Sequence, residues 1–179
     1  MKTDQSRTRS MILWLVSLAL AAILSGCSTI KLVGDYDEQL DKGTTALQKE
    51  VEAHLIKLES TASKPSDKVE AYEKHKQFYA DAKVTISGLR IRADATERNS
   101  LTVRMFDKLR NNIGELEQMH KSDEGLTKAE IDKSIRGAFN TQFTAILTFE
   151  LAKKRGEKPD ETKAGAASTP PANAKGDSK

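Results

Sequence analysis

The chain has 179 residues, 31% of them charged, yet its formal net charge is only +3, so it lacks the strong basic excess of a nucleic-acid binder. Aromatic residues make up 5%, and the one tryptophan, Trp14, lies near the N-terminus, which argues against a carbohydrate-stacking platform or an aromatic cage. A single cysteine, Cys27, excludes an internal disulfide.

The first element is not a helix of the folded body. Lys2, Arg7 and Arg9 make a basic start, and Met11 through Leu24 is an uncharged apolar stretch of 14 residues, within the ~7–15 usual for an export signal. Small Ser25 and Gly26 follow, and then Cys27. Leu24-Ser25-Gly26-Cys27 resembles the lipobox of bacterial lipoproteins with a type II signal peptide. The resemblance implies removal of residues 1–26 by cleavage between Gly26 and Cys27, acylation of Cys27 on sulfur, and a mature chain that begins at Cys27. It implies several acyl chains, because one chain, at about 0.8 kcal/mol per buried CH₂, anchors only marginally. In enterobacterial lipoproteins an Asp after the cysteine marks inner-membrane retention, and here the residue is Ser28. The resemblance therefore implies the outer membrane, with the protein facing the periplasm. The competing reading is an uncleaved anchor, since Met11 to Ile30 is 20 residues without a charge, long enough to span a bilayer. The polar run Ser25 to Thr29 makes a poor second half for such a span, and both readings export everything after Cys27.

Residues 27–34 read as a lipidated N-terminus and short linker, and 35–155 as an all-α domain. In the first helix, 35–60, Asp35 is placed to cap with Glu38 three positions on, and Tyr36, Leu40, Leu47, Val51, Leu55 and Leu58 recur at helical spacing. After a break at Thr61 to Pro65, Ser66 and Asp67 supply start signals for a second helix, 66–94, with the stripe Tyr72, His75, Tyr79, Ala82, Ile86, Leu89 and Ala93. Within it, Val84 to Ser87 and Leu89 to Arg92 also alternate with a period of two around Gly88, so a strand competes; no partner segment offers itself, and helix is favoured. Asn99 or Ser100 caps the third, 100–121, which buries Val103, Phe106, Leu109, Ile113, Leu116 and Met119. The fourth, 128–155, opens on a capping box of Thr127 and Glu130 inside a hydrophobic staple of Leu126 and Ile131, and continues through Ile135, Phe139, Phe143, Ile146 and Phe149. Four such helices with short loops predict an up-and-down bundle. Gly156 to Lys179, rich in Lys, Ala, Gly, Pro and Ser, has too little apolar content to fold and is expected to be disordered.

Chemistry-bearing motifs are sparse. The sequence has no phosphate-binding glycine loop, no paired-cysteine metal motif, no haem-attachment motif and no nucleophile elbow, so no catalytic residue and no cofactor is expected. Of the three histidines, His54 borders the first stripe, His120 is near the end of the third helix, and His75 lies on the second stripe. His75 is the one candidate for a metal or ligand site, set against the commoner role of a hydrogen-bonded core histidine; a facing carboxylate such as Glu50 or Glu70 is left open. Arg90, Arg92, Arg98 and Arg104 gather around the second interhelical turn, either to meet an anionic group or as a solvated loop balanced by Asp94 and Glu97. Lys179 resembles, at that one residue, the terminal lysine by which the major envelope lipoprotein is joined to peptidoglycan.

Beyond the lipobox, the chain resembles the small helical envelope lipoproteins of Gram-negative bacteria, loosely in the mature domain and specifically only from Lys2 to Ser28, and the resemblance implies no catalytic residues. The expectation is a non-enzymatic, membrane-anchored interaction or scaffolding module with an envelope protein as partner, self-association being open. The alternative is a ligand- or metal-binding bundle centred on His75.

Overall fold

Residues 33–156 are described in the structure, a computed structural model. The chain enters its first helix, α1 (Glu38–Ser60), through Asp37, whose carboxylate accepts from the backbone N–H of Gln39 at 2.8 Å and of Leu40 at 3.4 Å. The N-cap is thus Asp37, two residues later than Asp35. The core stripe explains the shift, because the first fully buried side chain is Leu40, in the turn that Asp37 closes. Leu40, Leu47, Val51, Leu55 and Leu58 are all buried on one side of α1, and their steps of three, four and seven are what put them there.

The second helix is shorter than its sequence pattern. It is α2 (Lys76–Asp94), entered through a 3₁₀ turn at Tyr72–Lys74, so residues 66–75 are not α-helical. Asp67 does not cap a helix; its carboxylate accepts from the Lys64 N–H at 2.8 Å and closes a turn. The segment after it pairs with the far loop instead: the Val69 N–H donates to the Leu126 carbonyl (2.8 Å), and the Lys128 N–H to that of Asp67 (3.1 Å). Long-range backbone pairing at this point outweighs local helix-start signals, and it buries Val69 and Leu126. Beyond Lys76 the helix is continuous through the stretch where alternation competed, with Ile86 and Leu89 inside and Val84 and Ile91 outside.

Helix α3 (Ser100–Lys121) begins after Asn99, which occupies the N-cap position without capping through its side chain. The fourth helix opens as read. Thr127 Oγ1 accepts from the Glu130 N–H and the Glu130 carboxylate accepts from the Thr127 N–H, a full capping box, while Leu126 and Ile131 are both buried. An α-turn at Lys128–Glu130 leads into a π-helical turn at Ile131–Ile135 before the long helix α4 (Arg136–Arg155), which stops at Gly156 in the left-handed conformation (φ 69°) that only glycine takes cheaply.

Cross-helix bonds fix the topology. The end of α1 lies by the start of α2 (His54 stacked on Phe78), the start of α2 by the end of α3 (Tyr79 to His120), the start of α3 by the end of α4 (Thr102 to Glu150), and the start of α4 by the end of α1 (Arg136 to Glu59). Every neighbour is antiparallel, which makes an up-and-down four-helix bundle. Its interior holds Tyr79, Phe106 and Phe143 among the largest fully buried side chains, each aromatic or aliphatic residue of this kind contributing about 1.5–3 kcal/mol by leaving water. Gly43 of α1 packs against α2, where a Cβ would sit 2.5 Å from a methyl of Leu89.

Candidate functional site

Leu24, Ser25, Gly26, Cys27 and Ser28 lie outside the described residues, as do the tail from 157 onward and Lys179. Within the described bundle, buried polar side chains form clusters at opposite ends, and an apolar groove lies on the surface.

At the end formed by the α1–α2 loop, the three histidines come together, although 21 and 45 residues separate consecutive members in sequence. Ring centroids of His54 and His75 are 5.3 Å apart, and those of His75 and His120 5.6 Å. All three are buried. His75 is not on a helical stripe; it ends the 3₁₀ turn and immediately precedes α2, a position set by the loop pairing described above. Its Nε2 meets the Glu70 carboxylate at 3.0 Å, so Glu70 is the facing carboxylate and Glu50 is not. His120 Nε2 donates to the Glu70 carbonyl (2.7 Å), which leaves Nδ1 as the acceptor for the Tyr79 hydroxyl (2.8 Å). His54 stacks on Phe78 with centroids 3.6 Å apart, and its Nε2 is buried without a hydrogen-bond partner.

Electrostatics follow from this packing. Burial, reinforced by the nearby His75 and His120 rings, pushes the His54 imidazole down to about 3. Burial also lowers His120, against the raising effect of its bond to the Glu70 carbonyl. Around the cluster, Lys83 and Tyr72 both hydrogen-bond Glu117 and hold it ionised below the usual carboxylate range, and Lys74 and His75 do the same for Glu70. A metal would need imidazole nitrogens that are free and convergent. Both nitrogens of His120 are engaged, and among the described residues no group of three or more His, Cys, Asp or Glu is arranged to hold an ion.

At the opposite end sits a cluster that the motif scan did not find. Lys153 donates to Asn99 Oδ1 (2.5 Å), Thr102 Oγ1 (2.9 Å) and Glu150 Oε1 (2.7 Å), which uses all three of its protons. Thr102 passes its own proton to Glu150 Oε1 at 2.9 Å, and Asn99 spends its amide N–H on the Ala93 carbonyl at 3.1 Å. The Lys153 and Glu150 side chains are 1% and 0% exposed, and Glu150 Oε2 is left without a partner. Spacing carried a signal: Glu150 is four residues after Ile146 and Lys153 four after Phe149, on the core stripe of α4. His54 and His120 are equally on stripe, three after Val51 and four after Leu116.

Two of the four arginines at the basic turn, Arg90 and Arg92, are paired with acids, and Asp37 and Asp107 join Asp94 in that role. Arg90 bonds Asp107 at 2.9 Å and reaches Asp94 at 3.5 Å, Arg92 bonds the N-cap Asp37 at 2.5 Å, and Arg104 reaches the Ser100 hydroxyl at 3.5 Å. Arg98 takes a left-handed φ of 60° and its carbonyl accepts from the Gly34 N–H at 3.0 Å, which ties the segment leading into α1 to this turn.

Between α3 and the start of α4 runs a shallow groove, open to solvent and lined by Leu116, Met119, Ile135, Ala138 and Phe139, with Asn112 and Glu115 as its polar members. Ile135 belongs to the π turn, which widens the helix where the groove lies. Asn112 bonds Gln142 at 2.9 Å, yet the other amide atom of each is buried and unpartnered.

No family model, no curated protein and no solved structure matches the chain. Among the described residues, no helix is long and apolar enough to cross a membrane.

Proposed function

We propose that this chain is a lipid-anchored envelope lipoprotein whose helical bundle acts, without catalysis, as an interaction or scaffolding module on the periplasmic face of the outer membrane. The observation that carries the anchoring half is Cys27 itself, the one cysteine of the sequence, placed after Leu24-Ser25-Gly26 at the close of an uncharged run. The Asp37 cap follows it by ten positions, an extended reach of at most about 35 Å, so an acylated Cys27 holds the bundle close to the bilayer.

The module half is supported by how the polar interior is used. The histidine and lysine–glutamate clusters bond across pairs of helices and carry few free valences towards solvent, the pattern of groups that define packing. One surface the bundle offers outward is the groove at Leu116, Met119, Ile135 and Phe139, apolar, adaptable through its methionine, and of the kind that accepts one face of a partner helix. The reading includes no cofactor and no nucleic acid, and a peptidoglycan link through Lys179 is not needed for anchoring.

A crosslinking experiment in intact envelopes tests the module half. A reproducible protein adduct is expected with a photo-crosslinker at Met119, and the adduct disappears when Phe139 is replaced by Glu. No adduct from this position, with the anchored protein folded and abundant, contradicts the reading.

A further inference from the structure

The outward face of α2 is not used by its own bundle. Val84 and Ile91 are 72% and 62% exposed, the two most exposed large apolar side chains among the described residues. Ala80 and Ala95, also exposed, extend the same stripe by one turn at each end. Gly88 lies between them, and a Cβ built there meets nothing within 4 Å. An interior helical glycine costs about 1 kcal/mol relative to alanine, and here the monomer shows no close approach that requires it. At 100° per residue, Asp81 and Arg92 border the stripe on one side and Lys83 and Asp94 on the other.

We infer that this face is the contact between two copies of the chain, packed antiparallel through α2 about a two-fold axis close to Gly88. In that register Val84 of each copy meets Ile91 of the other, Ala80 meets Ala95, and the two Gly88 residues let the backbones approach. A two-fold axis keeps each flank against its own equivalent, so Asp81 faces Arg92 of the second copy, and Lys83 faces Asp94. Both flanks then pair opposite charges, and the helix dipoles are opposed. The side chains keep their present intramolecular partners, since Arg92 and Asp94 are half or more exposed and have donor and acceptor capacity to spare.

A seam of one helix from each copy buries less than the ~1,200 Å² of a standard interface and belongs to the weak class, with a Kd on the order of micromolar. The surface does not depend on the anchor, so failure of the lipoprotein reading leaves it standing. Sedimentation velocity of the full chain in a neutral detergent, followed over ~1–200 μM to bracket that Kd, is expected to show a reversible monomer–dimer equilibrium. Val84→Lys should weaken it at least about tenfold by placing two charges at the centre of the seam. Gly88→Leu should weaken it as much while leaving the unfolding midpoint equal or higher, because the exposed helix gains propensity as the close approach is lost. That combination separates a lost contact from a lost fold. A chain that stays monomeric throughout the range, or a dimer that neither substitution weakens, overturns the inference.

Discussion

The Tyr79 hydroxyl donates to Nδ1 of His120 across 2.8 Å of the α2–α3 interface, and its role as donor is dictated by the other ring nitrogen, which gives its proton to the Glu70 carbonyl. One imidazole thus ties two helices and the α1–α2 loop together in a single tautomer. Tyr79→Phe leaves Nδ1 buried as an unpaired acceptor, with the ring packing retained. The expected loss is about 1–3 kcal/mol of unfolding free energy, read from urea titration at pH 7.5.

The same end of the bundle makes the protein acid-sensitive in a window that carboxylates do not share. His54 titrates near its ordinary value, about 6.5, in the unfolded chain and at about 3 in the folded one. Between those values the unfolded state binds more protons, so stability rises with pH and is lost as pH falls below about 6.5. From pH 7 to pH 5 the loss from His54 alone is about 2 kcal/mol, and the lowered His120 adds in the same direction. Glu70, Glu117 and Asp37, whose carboxyls are held below their usual range by Lys74, Lys83 and Arg92 respectively, matter only at lower pH. Urea midpoints measured from pH 7.5 to 5 should fall steadily in the wild type, and less steeply in His54→Phe, which keeps the stack on Phe78. Equal slopes in the two proteins contradict this assignment.

Lys153 and Glu150 predict a different mutational pattern. Removing one partner of a buried ion pair leaves the other charge uncompensated and typically costs about 3–5 kcal/mol, whereas removing both is far cheaper. Lys153→Met should therefore destabilise severely, and Lys153→Met combined with Glu150→Leu should recover most of the loss. The thermal midpoints of wild type, both single variants and the double variant give the coupling directly.

Gly34 is tied to the α2–α3 turn by its N–H, and a Cβ at this position would lie 2.6 Å from the Glu97 carbonyl oxygen. That neighbour is backbone, and it cannot yield without moving the turn that carries Arg98. Gly34→Ala is expected to cost about 1–3 kcal/mol. The N–H of Gly34 should at the same time lose protection in hydrogen exchange.

Much of the fold was legible because it rests on periodicity. Leu40 to Leu58, Phe106 to Leu116 and Phe139 to Phe149 fall at helical spacing, and Thr127 with Glu130 announces its helix start by local chemistry alone. The start of α2 was not legible, since Ser66 and Asp67 carry the same signals as a true cap and are overridden by pairing of Val69 with Leu126, a contact between distant segments. The polar clusters were hidden for another reason. His54, His120, Glu150 and Lys153 do continue the apolar stripes, but only the assembled bundle shows that the histidines converge and that Lys153 meets Asn99 and Thr102. The π turn at Ile131–Ile135, which contributes Ile135 to the groove, carries no local sequence signature comparable with the capping box before it.

Lipid attachment at Cys27 is open to a single decisive measurement, intact-mass spectrometry of the protein purified from cell envelopes. A chain that starts at Cys27 and carries the added mass of several acyl chains is expected, with Cys27→Ala yielding neither the cleavage nor the added mass. An envelope-derived chain with residues 1–26 retained and Cys27 unmodified would contradict it.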